Sequence, residues 1–134
     1  MNINEKIISM EMKARLSTLW IFVLLNMIFR DIHELFRPGM LEEMMTLLNS
    51  GQITEGLLLL GGIMIEIPIA MVPLSQILKS NVNRWTNMIV AIVTMALVFL
   101  NNTTPDLDDI FFAAIETISL ALIIWYAWQW RQEV

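Results

Sequence analysis

The chain has no cysteine, one histidine and one tyrosine in 134 residues. Without thiols there are no disulfides, no thiol redox chemistry and no thiolate metal site. Charge is scarce as well, at 16% of residues against roughly 25% in an ordinary soluble domain. The net charge is −5 and no basic run exists to follow a phosphate backbone, which argues against nucleic-acid binding. No Gly-rich phosphate loop, zinc spacing or nucleophile–base pair is present. Ser75 and Ser119 have no histidine at a compatible depth. No catalytic residue, metal site or cofactor is therefore assigned, and the residues do not favour an enzyme. Intramembrane acid/base chemistry by Glu66, Glu116 or His33 remains a third reading.

What the chain does have is apolar length. Hydrophobic residues make up 57% and the mean hydropathy is +0.64, arranged in runs that approach the ~20 residues a helix needs to cross a bilayer. The expected fold is all-α, a four-helix transmembrane bundle with a short amphipathic surface helix between spans 1 and 2. One polytopic membrane domain covers 1–134, with spans at about 17–36, 56–78, 85–100 and 110–130.

Residues 1–14 read as a polar lead-in. No small-x-small site follows the first apolar run, so span 1 is expected to be retained rather than cleaved as a signal. Its strictly apolar part, Leu19 to Phe29, covers only about half a bilayer and needs protein packed around its outer half. A half-membrane helix is the alternative. Pro38-Gly39 ends span 1. The stripe Leu41, Met44, Met45, Leu48 opposite Glu42 and Glu43 then fits a helix lying on the surface. Pro68 and Pro73 remove backbone donors inside span 2, freeing the carbonyls of Met64 and Ile69 and predicting a kink. Lys79 to Arg84 reads as a basic turn, and Asn101 to Asp109 as an acidic loop.

Orientation follows from Lys and Arg. With the N-terminus inside, Lys6, Lys13, Arg15, Lys79, Arg84 and Arg131 fall on the cytoplasmic side, and only Arg30 and Arg37 on the other. Trp20, Trp85, Trp125, Trp128 and Trp130 then fall at cytoplasmic span ends, where aromatic belts sit. The expected location is the inner (cytoplasmic) membrane, multi-pass, with both termini cytoplasmic.

The polar residues inside the spans carry the functional expectation. A carboxylate at membrane depth costs several kcal/mol unless it is neutralised, paired or wetted. Glu66 and Glu116 lie roughly 15 and 9 Å below the outer ends of their spans at ~1.5 Å per residue. Arg30 lies at a similar depth and could bridge both. Asn26, Arg30, His33 and Arg37 follow one helix face, with Glu34 at its border and Asp31 pointing elsewhere. Asn87, Thr94 and Asn101 recur every seven residues with Ala91 on the same side.

Two readings of this constellation stay open. In the first, Asn26, Arg30, Asp31, Glu66, Asn87, Thr94 and Glu116 line a cavity that binds or passes a small polar solute, ion or proton. Glu66 is then the main charge-carrying group and Glu116 its partner; four short helices enclose little space, so a homo-oligomer is expected. In the second, the cluster is a structural ion network in an accessory or assembly subunit of a larger membrane complex, with a membrane-protein partner. His33 is a candidate pH-sensing group or a hydrogen-bonded interfacial residue.

Three stretches carry a resemblance: LSTLWIFVLLNMIFRDI (16–32), EGLLLLGGIMIEIPIAMVPLSQIL with the following NRWTN (55–87), and AAIETISLALIIWYAWQW (113–130). Together they resemble an uncharacterised bacterial family of small four-span membrane proteins, similar in layout to DoxX-like proteins. Asn26, Asp31, Glu66, Pro68, Asn83, Arg84, Asn87, Glu116 and Trp128 look similar to that family's pattern; Arg30 and the HELFR segment depart from it. The resemblance implies a four-helix membrane bundle. Since some DoxX-like proteins are subunits of quinone-linked oxidoreductases, it also implies a conceivable accessory redox role.

Overall fold

A computed structural model describes residues 2–103 and 106–130. The described residues form five helices: α1 (Ile3–Glu34), α2 (Met40–Asn49), α3 (Glu55–Ile77), α4 (Ser80–Asn101) and α5 (Leu107–Gln129). All but α2 are long and apolar enough to cross a membrane. The chain is thus an all-α, multi-pass membrane protein. The near face is defined here as the one where α1 begins, and the far face as the one where α1 ends.

Helix ends are set by local chemistry. Asn2 caps α1 in a capping box with Glu5, and Asp106 does the same for α5 with Asp109. Each pair satisfies two otherwise orphaned backbone donors. Thr54 caps α3 through its side chain, which accepts from the Leu57 amide. The turn before α2 needs Gly39, whose φ of 84° is left-handed and strained for any residue with a Cβ.

The helix limits differ from the sequence reading in two places. The lead-in 1–14 is helical from Ile3, so α1 has 32 residues. That is about 48 Å of helix against ~30 Å of hydrocarbon, so its first turns project beyond the membrane. The apparent basic turn Lys79 to Arg84 is instead the start of α4, because only Leu78 and Lys79 are extended. As expected, Pro68 and Pro73 both lie inside one continuous helix, α3. Of the expected acidic loop, Thr104 and Pro105 lie outside the described residues, as does Arg131 of the basic set.

In the bundle α1 packs between α3 and α5, α4 packs along α5, and contact between α3 and α4 is slight. The core is Leu16, Trp20, Val23, Met71, Met88, Ala91, Val98, Leu120, Ile123 and Ala127, with Trp130 at its near end. In contrast, α2 lies off the bundle, with all of its residues exposed except Met40. The far part of α3 is also uncovered: between Glu55 and Ile67 only Gly61 is even half-buried.

The near half of the bundle is tied by polar contacts. Ser9 and Ser80 share a hydrogen bond at 3.1 Å, Ser17 donates to the Val72 carbonyl at 2.9 Å, and Gln76 donates to Ser17 at 3.1 Å. Arg84 donates to the Ala127 carbonyl at 3.0 Å, in the last turn of α5. Its guanidinium also lies 5.6 Å from the Trp85 ring and 5.8 Å from that of Trp128. A cation is favoured at a helix C-terminus and over indole faces. Arg84→Ala is therefore expected to cost about 1–2 kcal/mol, measured as a lowered unfolding midpoint in detergent.

The tryptophans do not form one belt. Trp85, Trp125 and Trp128 are exposed, but Trp20 is fully buried and Trp130 nearly so. Trp20 is inside because its indole N–H has a buried acceptor on α4.

Candidate functional site

Two polar clusters sit inside the bundle, one in each half. The near cluster is built on Asn87. Its Oδ1 accepts from Trp20 Nε1 at 2.7 Å and from Ser75 Oγ at 3.2 Å. Its Nδ2 donates to the Asn83 carbonyl at 2.9 Å and to Asn83 Oδ1 at 2.6 Å. Asn83 Nδ2 in turn donates to the Ser75 carbonyl at 2.6 Å, near the end of α3. Trp20, Ser75, Asn83 and Asn87 are all fully buried. Both hydrogens of the Asn87 amide have an acceptor, and the knot joins α1, α3 and α4. Such a buried network fixes helix register.

The far cluster differs. Arg30 Nη1 donates to Glu116 Oε2 at 2.8 Å. Glu116 is fully buried while the Arg30 side chain is 13% exposed. At nine residues into α5, Glu116 lies about 14 Å along the helix from its far end. Arg30, only four residues from the end of α1, reaches down to meet it. The second carboxylate oxygen, Glu116 Oε1, is buried without a hydrogen-bond partner among the described residues. Arg30 also lines a cavity of about 300 Å³, together with Asp31, Glu34, Asn101, Asn102 and Asp109; Glu116 is not among its lining residues. Asn102 Nδ2 is likewise buried and unpartnered. Asp31 is largely exposed and its carboxylate lies 3.9 Å from Arg30 Nε.

Three carboxylates and one guanidinium line the cavity, so its lining is net acidic. Toward the near face, Val23, Ala91, Leu120 and Ile123 are fully buried in the apolar core. The cavity therefore ends in packed side chains and belongs to the far face alone. Among the described residues no group of three or more His, Asp or Glu is placed to hold a metal ion.

Of the residues singled out from the sequence, the structure brings together Arg30, Asp31 and Glu116. Asn87 belongs to the near knot. Thr94 is buried at 3% exposure on the same α4 face. Asn26 is half-buried and its amide turns back to the Phe22 carbonyl at 2.8 Å, within its own helix. His33 Nε2 lies 3.1 Å from Asp108 Oδ2 at the surface, tying α1 to α5, and its ring lies 6.1 Å from that of Phe112. Arg37 falls beyond α1 and pairs with Glu34 at 3.1 Å and Glu43 at 3.4 Å.

Glu66 departs furthest from expectation. Arg30 does not bridge Glu66 and Glu116. Glu66 is exposed on α3, while that helix turns Pro68, Met71 and Ser75 into the bundle. At 3.6 residues per turn those three project from roughly the opposite side of the helix to Glu66. Depth along the chain matched the two carboxylates, but rotation about the α3 axis separates them.

The sequence reading also missed contributors. Asn102 and Asp109 fall in the expected acidic loop, yet both line the cavity. Asn83 could have been found from its i, i+4 spacing to Asn87. Ser75 and Trp20 gave no signal of their own.

A profile described as a family of unknown function, DUF6326, matches residues 3–134. The chain belongs to the DUF6326 family. No curated protein and no solved structure matches this DUF6326 chain. The match supports membership of an uncharacterised family, whereas the likeness to DoxX-like proteins gains nothing from these comparisons.

Proposed function

We propose that this protein binds a small polar solute bearing a positive charge, entering from the far face and held in the acidic cavity that Arg30 lines. The supporting observation is the buried Glu116 carboxylate, which spends one oxygen on Arg30 and leaves the other unpartnered, while the same Arg30 lines a net acidic opening. A cation or N–H donor seated there meets charge-assisted acceptors in a site of low dielectric. Asp31 and Asp109 at the mouth attract it, and the Arg30 guanidinium limits the charge the site tolerates. The packed core below makes this an occluded, one-sided site. Passage across the membrane then requires a second conformation.

The Lys and Arg bias would place the near face in the cytoplasm of an inner membrane and the cavity outside it. The test is a solute pulse onto proteoliposomes on a solid-supported membrane, using sodium, potassium, ammonium and methylammonium in turn. A binding current is expected for at least one of them. Glu116→Gln should weaken it about ten- to hundredfold, the worth of one charge-assisted hydrogen bond of ~1.5–3 kcal/mol. Wild-type currents absent for all four, or unchanged in the variant, would reject the site.

An accessory role in a larger membrane complex is the second reading. The uncovered far half of α3 favours it, and a stoichiometric partner co-purifying from native membranes is its test.

A further inference from the structure

The far half of α3 presents a different problem from the cavity. Glu66 is the middle residue of a 23-residue helix, about 17 Å from either end. In a hydrocarbon layer ~30 Å thick this is close to the midplane, too deep for a short carboxylate side chain to reach the headgroups. Yet Glu66 is exposed and makes no hydrogen bond or ion pair among the described residues. The apolar residues around it, such as Leu59 at 66% and Ile63 at 52% exposure, are at ease against lipid. The carboxyl group is not, and costs several kcal/mol there. Its own bundle offers no relief, because Arg30 is engaged by Glu116 and α3 turns Glu66 away from it.

The face that carries Glu66 is shaped for another helix. Gly62 and Ala70 lie one turn to either side of it, with Leu59 and Pro73 next along the same seam. A Cβ built on Gly62 meets nothing within 4 Å, and neither does one on Gly61. These glycines do not serve packing within the bundle. Small residues at such spacing let two membrane helices approach closely, close enough here for the short Glu66 side chain to reach across.

We propose that a second copy of this chain covers the face, its α3 running parallel to the first about a twofold axis along the membrane normal. An isologous contact places each residue near the axis beside itself. Glu66 then meets Glu66 of the second copy at the same depth. A protonated carboxyl is both donor and acceptor, so two of them close on each other without any cation. A twofold pair is thus self-sufficient, whereas a foreign partner must bring its own donor to the midplane. The contact stands independently of the cavity, which opens between α1, α4 and α5 on another side of the bundle.

The chain contains no cysteine, so one introduced thiol reports one position. Leu59→Cys in liposomes under mild oxidation is expected to give a disulfide-linked dimer of the 15.5 kDa chain. The yield should exceed by at least about tenfold that of Ile118→Cys, since a disulfide needs Cα atoms within ~7 Å. Ile118 is equally exposed, on α5. Adding Glu66→Leu should lower the dimer yield about tenfold, or ~1.4 kcal/mol. Glu66→Gln should retain it, because a carboxamide also donates and accepts. Glu66 is exposed and makes no hydrogen bond or ion pair among the described residues of its own bundle, so helicity should be unchanged in all variants. Equal cross-linking at 59 and 118, a cross-linked product of another mass, or a Glu66→Leu variant that dimerises like the parent would each overturn the proposal. Glu116→Gln should leave the dimer intact, which keeps this test separate from that of the cavity.

Discussion

Arg30→Ala should destabilise the bundle by about 3–5 kcal/mol, the usual cost of removing one partner from a buried ion pair. Most of that cost comes from the group left behind. Glu116 is fully buried, and Arg30 is its only hydrogen-bond partner among the described residues. Without the guanidinium, Glu116 must take up a proton or draw in water. The double variant Arg30→Met, Glu116→Leu removes both charges and fills the space with apolar atoms. It is expected to recover wild-type stability to within about 1 kcal/mol, or to exceed it, as replaced buried pairs often do. Unfolding in detergent followed by tryptophan fluorescence gives both numbers. The same double variant should lose solute binding while staying folded. If Arg30→Ala proved neutral, the ion pair would not be what holds Glu116 in place, and the charge balance assigned to the cavity would fail with it.

Asn87→Leu should cost about 2–4 kcal/mol. That is more than two interhelical hydrogen bonds at ~0.6 kcal/mol each, and less than three orphaned buried groups at up to ~3 kcal/mol each. Four hydrogen bonds disappear at once, and Trp20 Nε1, Ser75 Oγ and Asn83 Oδ1 lose their shared partner. Leucine is similar in bulk to asparagine, so the loss reports polar contacts rather than an empty volume. Solute binding at the far face should be unchanged in the fraction that remains folded. Reduced binding in parallel with a small stability change would instead make the knot part of the functional site.

Much of the fold was legible because apolar length alone defines a spanning helix. The short amphipathic helix was legible from its stripe and from Pro38-Gly39. Where the reading slipped, a local pattern was ambiguous. The charged segment 1–14 resembles a solvated tail, yet its Asn2–Glu5 capping box starts a helix. Arg84 resembles part of a loop, yet it closes the end of α5. For the polar residues the sequence supplied depth but not azimuth. Arg30 and Glu116 meet because their helices are neighbours facing each other. Glu66 at comparable depth faces outward, since nearly every position on α3 is apolar and periodicity could not say which side is buried. Trp20 was misplaced because an indole suits both an interface and a buried acceptor, and only the position of Asn87 decides between them.

Among the described residues, the hydrogen bonds that tie α3 to its neighbours all involve Val72, Ser75 or Gln76, close to the two-residue link to α4. Mechanically this makes α3 a lever clamped at one end. Its fulcrum lies near Pro68, the first residue from the far end to be buried, and its free arm runs about 20 Å to Glu55. A tilt of ~10° about that point moves the tip by roughly 3 Å without breaking any of the clamping bonds. The opposite hairpin of α4 and α5 has no such arm: Val98 is buried near the far end of α4, and the far part of α5 is tied to α1 through Asp108 and Glu116. Rigidity and compliance are therefore divided by position along the membrane normal, and the stiff end is the one holding Asn87.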